Sequence, residues 1–139
     1  MLSQSTFKSI VPVQIRFSDV DLLGHVSNTQ YQNYFDLGKV DYFRKVIPEM
    51  DFNGLCVVGA SVKIDYIKPV FMQTQIVVKT RISAIGNKSM TLEHLISDAT
   101  SDEIYSVCSV VLVCFNVKDQ LSYPIPEEWR KKILNFEGA

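Results

Sequence analysis

The sequence carries few of the features that mark disulfide-rich or zinc-binding proteins. Its 139 residues include three cysteines, Cys56, Cys108 and Cys114, and no two of them form a Cys-x-x-Cys pair. An odd number without that spacing argues against both a disulfide framework and a zinc knuckle. Cys108 and Cys114 would lie roughly 20 Å apart along one strand, too far for a bridge within the chain, so we predict that the cysteines are core residues.

Long apolar runs and an excess of one charge are missing as well. The N-terminal sequence MLSQSTFKSI has no apolar stretch followed by a small-residue cleavage site, and no later segment approaches the length of a membrane span. The formal net charge is -1, so the chain lacks the basic surface expected of a nucleic-acid-binding protein. We therefore predict a cytoplasmic protein without nucleic-acid or membrane partners.

What the chain does contain is enough apolar sequence for one ordinary hydrophobic core. Hydrophobic residues make up 47% of the composition, and the charges are mixed in sign. A chain of this length can bury such a core without disulfide or metal support. We find no linker, internal repeat or low-complexity segment, so we predict one domain that spans residues 1–139.

The first part of the chain changes from a strand pattern to a helix pattern. The segment FKSIVPVQIRF is rich in β-branched residues, and Pro12 places it at a sheet edge or at the start of a strand. Helical spacing begins at Thr29 and ends before Pro48. The stripe that defines it consists of Tyr31, Tyr34, Phe35, Gly38, Tyr42 and Val46. A glycine inside this stripe costs about 1 kcal/mol in helix propensity, so we predict close backbone packing at Gly38.

Period-two alternation dominates the chain after Gly54 and indicates about four long strands. In the first, the even positions from Cys56 to Tyr66 are predicted to face one side of the sheet throughout. The second, TQIVVKTRISAI, is predicted to expose its polar positions, which are Gln75, Lys79, Arg81 and Ser83. Gly86 and Asn87 form a turn signal, so the second and third strands should pair as an antiparallel hairpin.

Residues 104–116 are apolar at both parities, which is typical of a strand that is covered on both faces. A short helix follows, with Pro126 near its first turn. The order of elements predicts an α+β domain in which one long central helix is wrapped by a curved antiparallel β-sheet. Because one helix covers only one face of a sheet, we expect a second subunit to cover the other.

A dense polar cluster, FSDVDLLGHVSNTQY, lies between the first strand and the long helix. Ser27 and Gln30 have the spacing of a capping box, which would place Ser27 at the N-cap. The amides that follow, beginning with Asn28, could then stabilise an anion such as the oxyanion formed on a carbonyl group. Asp21 could supply the attacking or proton-abstracting group. The cluster therefore has the outline of an acyl-transfer site.

This cluster resembles a family signature. The run Asp21-Leu22-Leu23-Gly24-His25-Val26-Ser27-Asn28-x-x-Tyr31 is similar to the Asp-x-x-Gly-His-Val-Asn-Asn-x-x-Tyr motif of the 4-hydroxybenzoyl-CoA thioesterase-like acyl-CoA thioesterases. The phrases VKIDYIKPV and RISAIGNKSMTLEH look like their counterparts in that family as well, so the resemblance covers most of the chain. One departure is that Ser27 replaces the first asparagine of the motif.

The resemblance implies a hotdog fold and the hydrolysis of an acyl-CoA thioester to a free acid and coenzyme A. In that family the residue matching Asp21 acts as nucleophile or general base, and the backbone amide that polarises the thioester carbonyl falls at Asn28. The resemblance also implies a homodimer or homotetramer with sites between subunits. No cofactor is expected, because coenzyme A is part of the substrate.

Other residues are candidates for supporting roles. His25 could protonate the departing thiolate or simply pack within the loop. The candidate substrate-binding residues are Gly24, Tyr31, Ser61, Lys68, Arg81, Lys88 and Ser89. Three of these, Lys68, Arg81 and Lys88, could contact the phosphates of coenzyme A or could be solvated surface charges. Asp19 is expected to make structural hydrogen bonds rather than act in catalysis, and His94 is expected in the core or an interface.

Three alternatives remain open at this level. Asp19, Asp21 and His25 could ligate a cation, but nothing elsewhere in the chain supplies matching ligands, so no metal is predicted. A non-catalytic hotdog module that binds acyl-CoA or an acyl carrier protein is the main competing function. A hotdog dehydratase is less favoured, because the loop does not show the histidine and acid arrangement expected on the helix. The sequence does not identify the acyl group.

Overall fold

The computed structural model describes residues 7–138. Residues 1–6 and residue 139 lie outside the described residues. They include part of the N-terminal segment for which no cleavable leader is predicted, and both ends of the predicted domain. The elements are β1 (Ser9–Val13), a 3-10 turn (Phe17–Asp19), α1 (Asn28–Val46), β2 (Leu55–Tyr66), β3 (Ile76–Ile85), β4 (Ser89–Asp98), β5 (Ile104–Asn116), β6 (Leu121–Ser122) and α2 (Glu127–Glu137).

The strands form one antiparallel sheet in the order β1-β3-β4-β5-β2, and the short β6 pairs with β5. The hairpin predicted around Gly86 and Asn87 is present, since β3 and β4 pair antiparallel. Pro12 lies in the edge strand β1, as predicted, where its missing N–H removes no hydrogen bond from the interior of the sheet. Helix α1 packs on β1, β3 and β4. The predicted architecture of one long helix against an antiparallel sheet is confirmed.

The contact between α1 and the sheet depends on Gly38. A Cβ atom at this position would lie 2.5 Å from Cγ1 of Val78 and 2.6 Å from Oγ1 of Thr80, closer than side chains tolerate. The hydroxyl of Thr80 is 2.8 Å from Nδ1 of His94, whose ring stacks on Phe35 with centroids 5.3 Å apart. The predictions of close backbone packing at Gly38 and of a core histidine at position 94 are both confirmed.

The cysteines are core residues, as predicted. Cys56, Cys108 and Cys114 are all buried as free thiols. Burial raises the pKa of the Cys108 thiol to about 12. These side chains therefore behave as small apolar groups.

A β-bulge in β2 contradicts the predicted side-chain alternation. Val57 pairs with Cys114 and Val62 pairs with Val110, so both valines face the helix side although one is odd-numbered and the other even-numbered. The register shifts between Gly59 and Ser61, where one extra residue reverses the parity of everything that follows. The prediction that the even positions share one face of the sheet throughout is therefore wrong.

Among the described residues, strand β5 is buried on one face and exposed in the middle of the other. Ser106, Cys108, Val110, Leu112 and Cys114 are buried, whereas Ser109 and Val111 are exposed. Residues 7–138 therefore leave the middle of the second face without a cover. Within this part of one chain, the predicted coverage of both faces is incomplete.

Arg81 is another exception to the predicted alternation. It was expected to be exposed on β3, but the residue is 6% exposed. Its Nε lies 2.9 Å from Oε1 of Glu93, and its guanidinium carbon lies 4.4 Å from the centre of the Phe7 ring. Arginine has a long aliphatic stem, and the charged end of Arg81 is paired with Glu93. The side chain can therefore be buried on a face of β3 that was predicted to be exposed to solvent.

Between residues 7 and 138, no helix combines the length and the apolar character needed to cross a membrane.

Candidate active site

The polar loop before α1 folds around Asp21. The N–H of Gly24 donates to the backbone oxygen of Asp21 (3.0 Å), and the N–H of Asp21 donates to the backbone oxygen of His25 (2.8 Å). Gly24 has φ +79°, a left-handed conformation that favours glycine. The carboxylate oxygen Oδ1 of Asp21 accepts from the N–H of Leu23 (2.9 Å) and of His25 (3.3 Å). Asp21 therefore shapes its own turn while remaining exposed.

The loop is attached to the segment that follows β2. The N–H of Val26 donates to the backbone oxygen of Val70 (2.7 Å), and His25 forms an isolated β-bridge with Phe71. The His25 and Phe71 rings meet edge to face with centroids 4.8 Å apart. These contacts hold the polar loop and the chain around Pro69 as two sides of one depression.

Helix α1 begins where the sequence indicated, but without the predicted capping box. Ser27 is the N-cap, yet its side chain makes no capping hydrogen bond; its hydroxyl lies 3.2 Å from that of Thr29. The side-chain oxygen of Gln30 accepts from Asn33 instead of from the N-cap amide. The capping box was therefore a wrong prediction, because both side chains take partners further along the helix. The amides of Asn28 and Thr29 lie in the first turn, where helical N–H groups have no partner within the helix.

These elements border an open cavity of about 260 Å³. It is lined by Asp21, His25, Val26, Asn28, Tyr31, Tyr66, Ile67, Lys68 and Pro69. All three predicted catalytic residues and two predicted substrate-binding residues, Tyr31 and Lys68, therefore line one space. Gly24 belongs to the same loop, and its backbone conformation forms the turn.

Two tyrosines form the aromatic wall of this cavity. The rings of Tyr31 and Tyr66 meet edge to face with centroids 4.9 Å apart. Burial raises the pKa of the Tyr31 hydroxyl above its usual range. The hydroxyl of Tyr66 donates to the backbone oxygen of Asn28 (3.3 Å), so it connects the end of β2 to the start of α1.

Tyr66 was not among the candidates from the sequence, where it counted only as an apolar strand position. A signal was available, since it ends a strand just before Pro69 and belongs to the phrase that resembles the thioesterase family. Its partner, the backbone of Asn28, could not be inferred from that position.

Lys68 lines the cavity and forms an ion pair with Glu103. Its Nζ lies 2.5 Å from Oε1 of Glu103, the residue just before β5, and both side chains are partly exposed. A negatively charged ligand group at this position would compete with Glu103 for the ammonium group. The exposure of the pair means that such an exchange requires little desolvation.

The remaining predicted substrate-binding residues lie elsewhere. Ser61 is on β2 opposite Val111, on the face of the sheet away from α1. Lys88 and Ser89 are at the hairpin between β3 and β4, where Lys88 is exposed. Arg81 is buried against Glu93, a position that leaves little of its guanidinium accessible to a phosphate group. The binding roles of these four residues stay predictions.

Asp19 lies beside the cavity but does not line it. The residue is 1% exposed, and its Oδ2 accepts from the N–H of Arg16 (3.0 Å) and from the hydroxyl of Tyr34 (2.7 Å). Burial by itself would raise the pKa of Asp19, but the hydrogen bonds from Arg16 and Tyr34 and the Arg16 charge together hold it below its usual range. Asp19 is thus a buried, ionised residue with structural hydrogen bonds, as expected from the sequence.

Within residues 7–138, no group of three or more His, Cys, Asp or Glu side chains is arranged to hold a metal ion. The polar groups of the cavity instead comprise one exposed carboxylate, one imidazole, one ammonium group and the first amides of α1. This set can activate or replace a water molecule at an acyl carbon and stabilise negative charge on its oxygen.

The chain is similar to a thioesterase family and to solved proteins named as thioesterases. Residues 15–133 match the thioesterase-like superfamily. A thioesterase from Thermus thermophilus, solved in complex with coenzyme A and Zn, is 29% identical, with a TM-score of 0.85 over 98% of this chain and 99% of that one. A predicted thioesterase from Bacillus stearothermophilus is 26% identical, with a TM-score of 0.82 over 91% and 94% of the two chains. These backbone matches confirm the predicted hotdog fold.

A curated relative is also similar. The uncharacterized protein YsmA of Bacillus subtilis is 29% identical over 92 residues, which are 66% of this chain and 63% of that protein. The match thus spans less than two thirds of the relative's length.

Proposed function

The chain belongs to the thioesterase-like superfamily, and from this membership and the cavity beside Asp21 we propose that it hydrolyses an acyl-CoA thioester to the free acid and coenzyme A. The observation that carries the proposal is that Asp21 and Asn28 line the same cavity. One supplies a carboxylate, and the other supplies an amide at the start of a helix. Thioester hydrolysis needs both, a group to attack or activate water and a donor for the oxyanion.

Asp21 acts through its second carboxylate oxygen. Oδ1 is used by the N–H groups of Leu23 and His25, and within the described part of the chain Oδ2 has no hydrogen-bond donor. Oδ2 is therefore available either to attack the thioester carbon, forming an anhydride, or to remove a proton from an attacking water. The two donors on Oδ1 fix the orientation of the carboxylate for either role.

Asn28 stabilises the charge that develops on the thioester oxygen. Its amide belongs to the first turn of α1, where the positive end of the helix dipole adds to the hydrogen bond. His25, held against Phe71 at the same cavity, donates a proton to the departing thiolate. Each group remains in place through the reaction, so little reorganisation is needed at the transition state.

Lys68 binds the coenzyme A portion of the substrate by exchanging Glu103 for a phosphate group. The complex of the Thermus thermophilus thioesterase with coenzyme A supports coenzyme A as the thiol carrier, because the structural match between the two proteins covers nearly the full length of both. Coenzyme A enters as part of the substrate, so the reaction requires no additional cofactor. The aromatic wall of Tyr31 and Tyr66 is compatible with either an aromatic or an aliphatic acyl group.

The functional form is a homodimer or a homotetramer, located in the cytoplasm. Strand β2 is at the edge of the sheet, and its residues 59–63 are exposed on both faces. An unpaired edge of this length is a template for antiparallel pairing with a second copy. A second copy would also bring its own β2 close to the cavity, because Tyr66 ends this strand and lines the cavity.

The direct test is release of free thiol from a panel of acyl-CoA thioesters of aromatic, short aliphatic and long aliphatic type. We expect catalytic hydrolysis of at least one class, with free acid and coenzyme A formed in equal amounts. The same thioesters on an acyl carrier protein identify the preferred carrier. Tight binding without hydrolysis across the panel would support the alternative, a non-catalytic acyl-thioester-binding module.

A further inference from the structure

We propose that Asp19 is a positioning residue, held by Tyr34, that sets the relative placement of Asp21 and the Asn28 amide. The inference rests on the proposed function, since it concerns the geometry of the same site. Neither Asp19 nor Tyr34 lines the cavity that holds Asp21 and Asn28. Both act through the loop and the helix to which they belong.

The side chain of Asp19 connects the loop to the body of α1. Its carboxylate accepts from the Tyr34 hydroxyl on the second turn of the helix and from the backbone N–H of Arg16 before the 3-10 turn. The guanidinium of Arg16 adds a longer contact to Oδ1 at 3.4 Å. The carboxylate therefore joins two segments that are fifteen residues apart in sequence.

The backbone of Asp19 connects the same loop to the start of the helix. Its oxygen accepts from the N–H of Ser27 at 2.9 Å, and Ser27 is the N-cap directly before Asn28. Asp21 follows Asp19 by two residues. One residue thus anchors both ends of the loop from which the carboxylate and the amide project.

Burial makes this connection stiff. Asp19 and Tyr34 are 1% and 4% exposed and line a second, separate cavity of about 390 Å³, so bulk solvent has little access to the hydrogen bond between them. Removing the Tyr34 hydroxyl would leave the carboxylate short of a donor, and the loop would relax to recover one. A displacement of about 1 Å in such a site can reduce turnover by roughly 100-fold.

The test compares two tyrosines on the same helix. Tyr42 also donates to a buried carboxylate, Oε2 of Glu137, but it lies roughly 12 Å further along the helix axis than Tyr34. Tyr34→Phe should lower kcat about 10-fold or more with little change in KM, whereas Tyr42→Phe should lower the melting temperature without a comparable loss of kcat. Equal losses of kcat in the two variants would overturn the proposal, because they would reflect stability alone.

Substitutions at Asp19 separate positioning from proton transfer. The amide oxygen of Asp19→Asn can still accept from the Tyr34 hydroxyl and from the backbone N–H of Arg16, although the longer contact to the Arg16 guanidinium is lost. This variant should therefore recover most of the turnover that Asp19→Ala loses. Asp21→Asn, in contrast, should have no more turnover than Asp21→Ala. If Asp19→Asn is as inactive as Asp19→Ala while still folded, the charge of Asp19 takes part in the chemistry and the positioning role is wrong.

Amide hydrogen exchange provides a readout that does not need activity. Tyr34→Phe and Asp19→Ala should accelerate exchange at the Ser27 amide, whose acceptor is the Asp19 oxygen, and Tyr42→Phe should not. If the protein hydrolyses no thioester but exchange follows this pattern, the proposed function fails and the positioning contact stands. Unchanged exchange at Ser27 in an active enzyme would overturn the positioning role alone.

Discussion

A Cβ atom added to Gly38 would come within 2.6 Å of the Thr80 hydroxyl oxygen, so the helix touches the sheet at its glycine. The same hydroxyl is hydrogen-bonded to His94 in the buried layer between helix and sheet. We expect Gly38→Ala to destabilise the fold by about 1–3 kcal/mol, because overpacking outweighs the better helix propensity of alanine. Urea unfolding measures the difference. Arg44→Ala, at an exposed position of the same helix, should change stability by less than about 0.5 kcal/mol.

Asp21→Asn should lower kcat by about 10²–10⁴-fold if Asp21 acts as general base, and at least as much if it is the nucleophile. The asparagine oxygen can still accept from the loop amides, so the fold and the binding of acyl-CoA should persist. Steady-state kinetics and equilibrium binding of a slowly hydrolysed substrate provide the two measurements.

Asp51 offers a matched control for that substitution. Like Asp21, it is exposed, accepts from the N–H two residues ahead (Asn53, 2.9 Å) and closes its turn with a glycine, Gly54. Asp51→Asn should leave turnover unchanged. Full activity in Asp21→Asn would refute the mechanism and reduce Asp21 to the same turn-forming role as Asp51.

Lys68→Ala should raise KM for an acyl-CoA several-fold with little effect on kcat, because a phosphate contact is made equally in the ground and transition states. Glu103→Gln should have the opposite effect on KM, since it removes the group that competes with the phosphate. Lys88→Ala tests the second candidate lysine in the same assay, at the exposed hairpin between β3 and β4. Unchanged kinetics in all three variants would leave Lys68 and Lys88 as surface charges.

His94 should make the protein less stable as the pH falls. Burial, with a smaller effect of Lys39, lowers the pKa of His94 to about 3. The unfolded chain takes up a proton at this residue below about pH 6.5, but the folded chain does not until about pH 3, so protonation favours unfolding across that window. The free energy of unfolding should decrease by up to about 1.4 kcal/mol per pH unit. His94→Gln should flatten this slope between about pH 6 and 5; an identical slope would contradict the assignment.

The exposed edge of β2 should be occupied by a second copy in solution. We expect sedimentation at micromolar concentration to give a dimer or a larger assembly. Val62→Lys, on this edge, should weaken that assembly, because Val62 is 45% exposed in one chain and would be covered by a neighbour. A stable monomer of the parent protein would exclude this arrangement.

Much of the fold was determined by local sequence. The spacing of Tyr31, Tyr34 and Phe35 and the proline at position 48 predicted α1 closely, because helix periodicity and termination depend on neighbouring residues. The Gly86 and Asn87 turn predicted the hairpin for the same reason. The short polar loop also brought Asp21, His25 and Asn28 together, since residues so close in sequence cannot separate far in space.

The tertiary structure alone decided the features that depend on residues distant in sequence. A bulge in β2 reversed the side-chain parity, and Glu93 and Phe7 covered Arg81, although neither outcome is visible in a single strand. The hydrogen bond from Tyr66 to Asn28 joins residues 38 positions apart. Sequence alternation specifies which residues of a strand share a face only where the strand has no bulge. Which face is covered, and by which residues, is determined by the packing of the strands and the helix against one another.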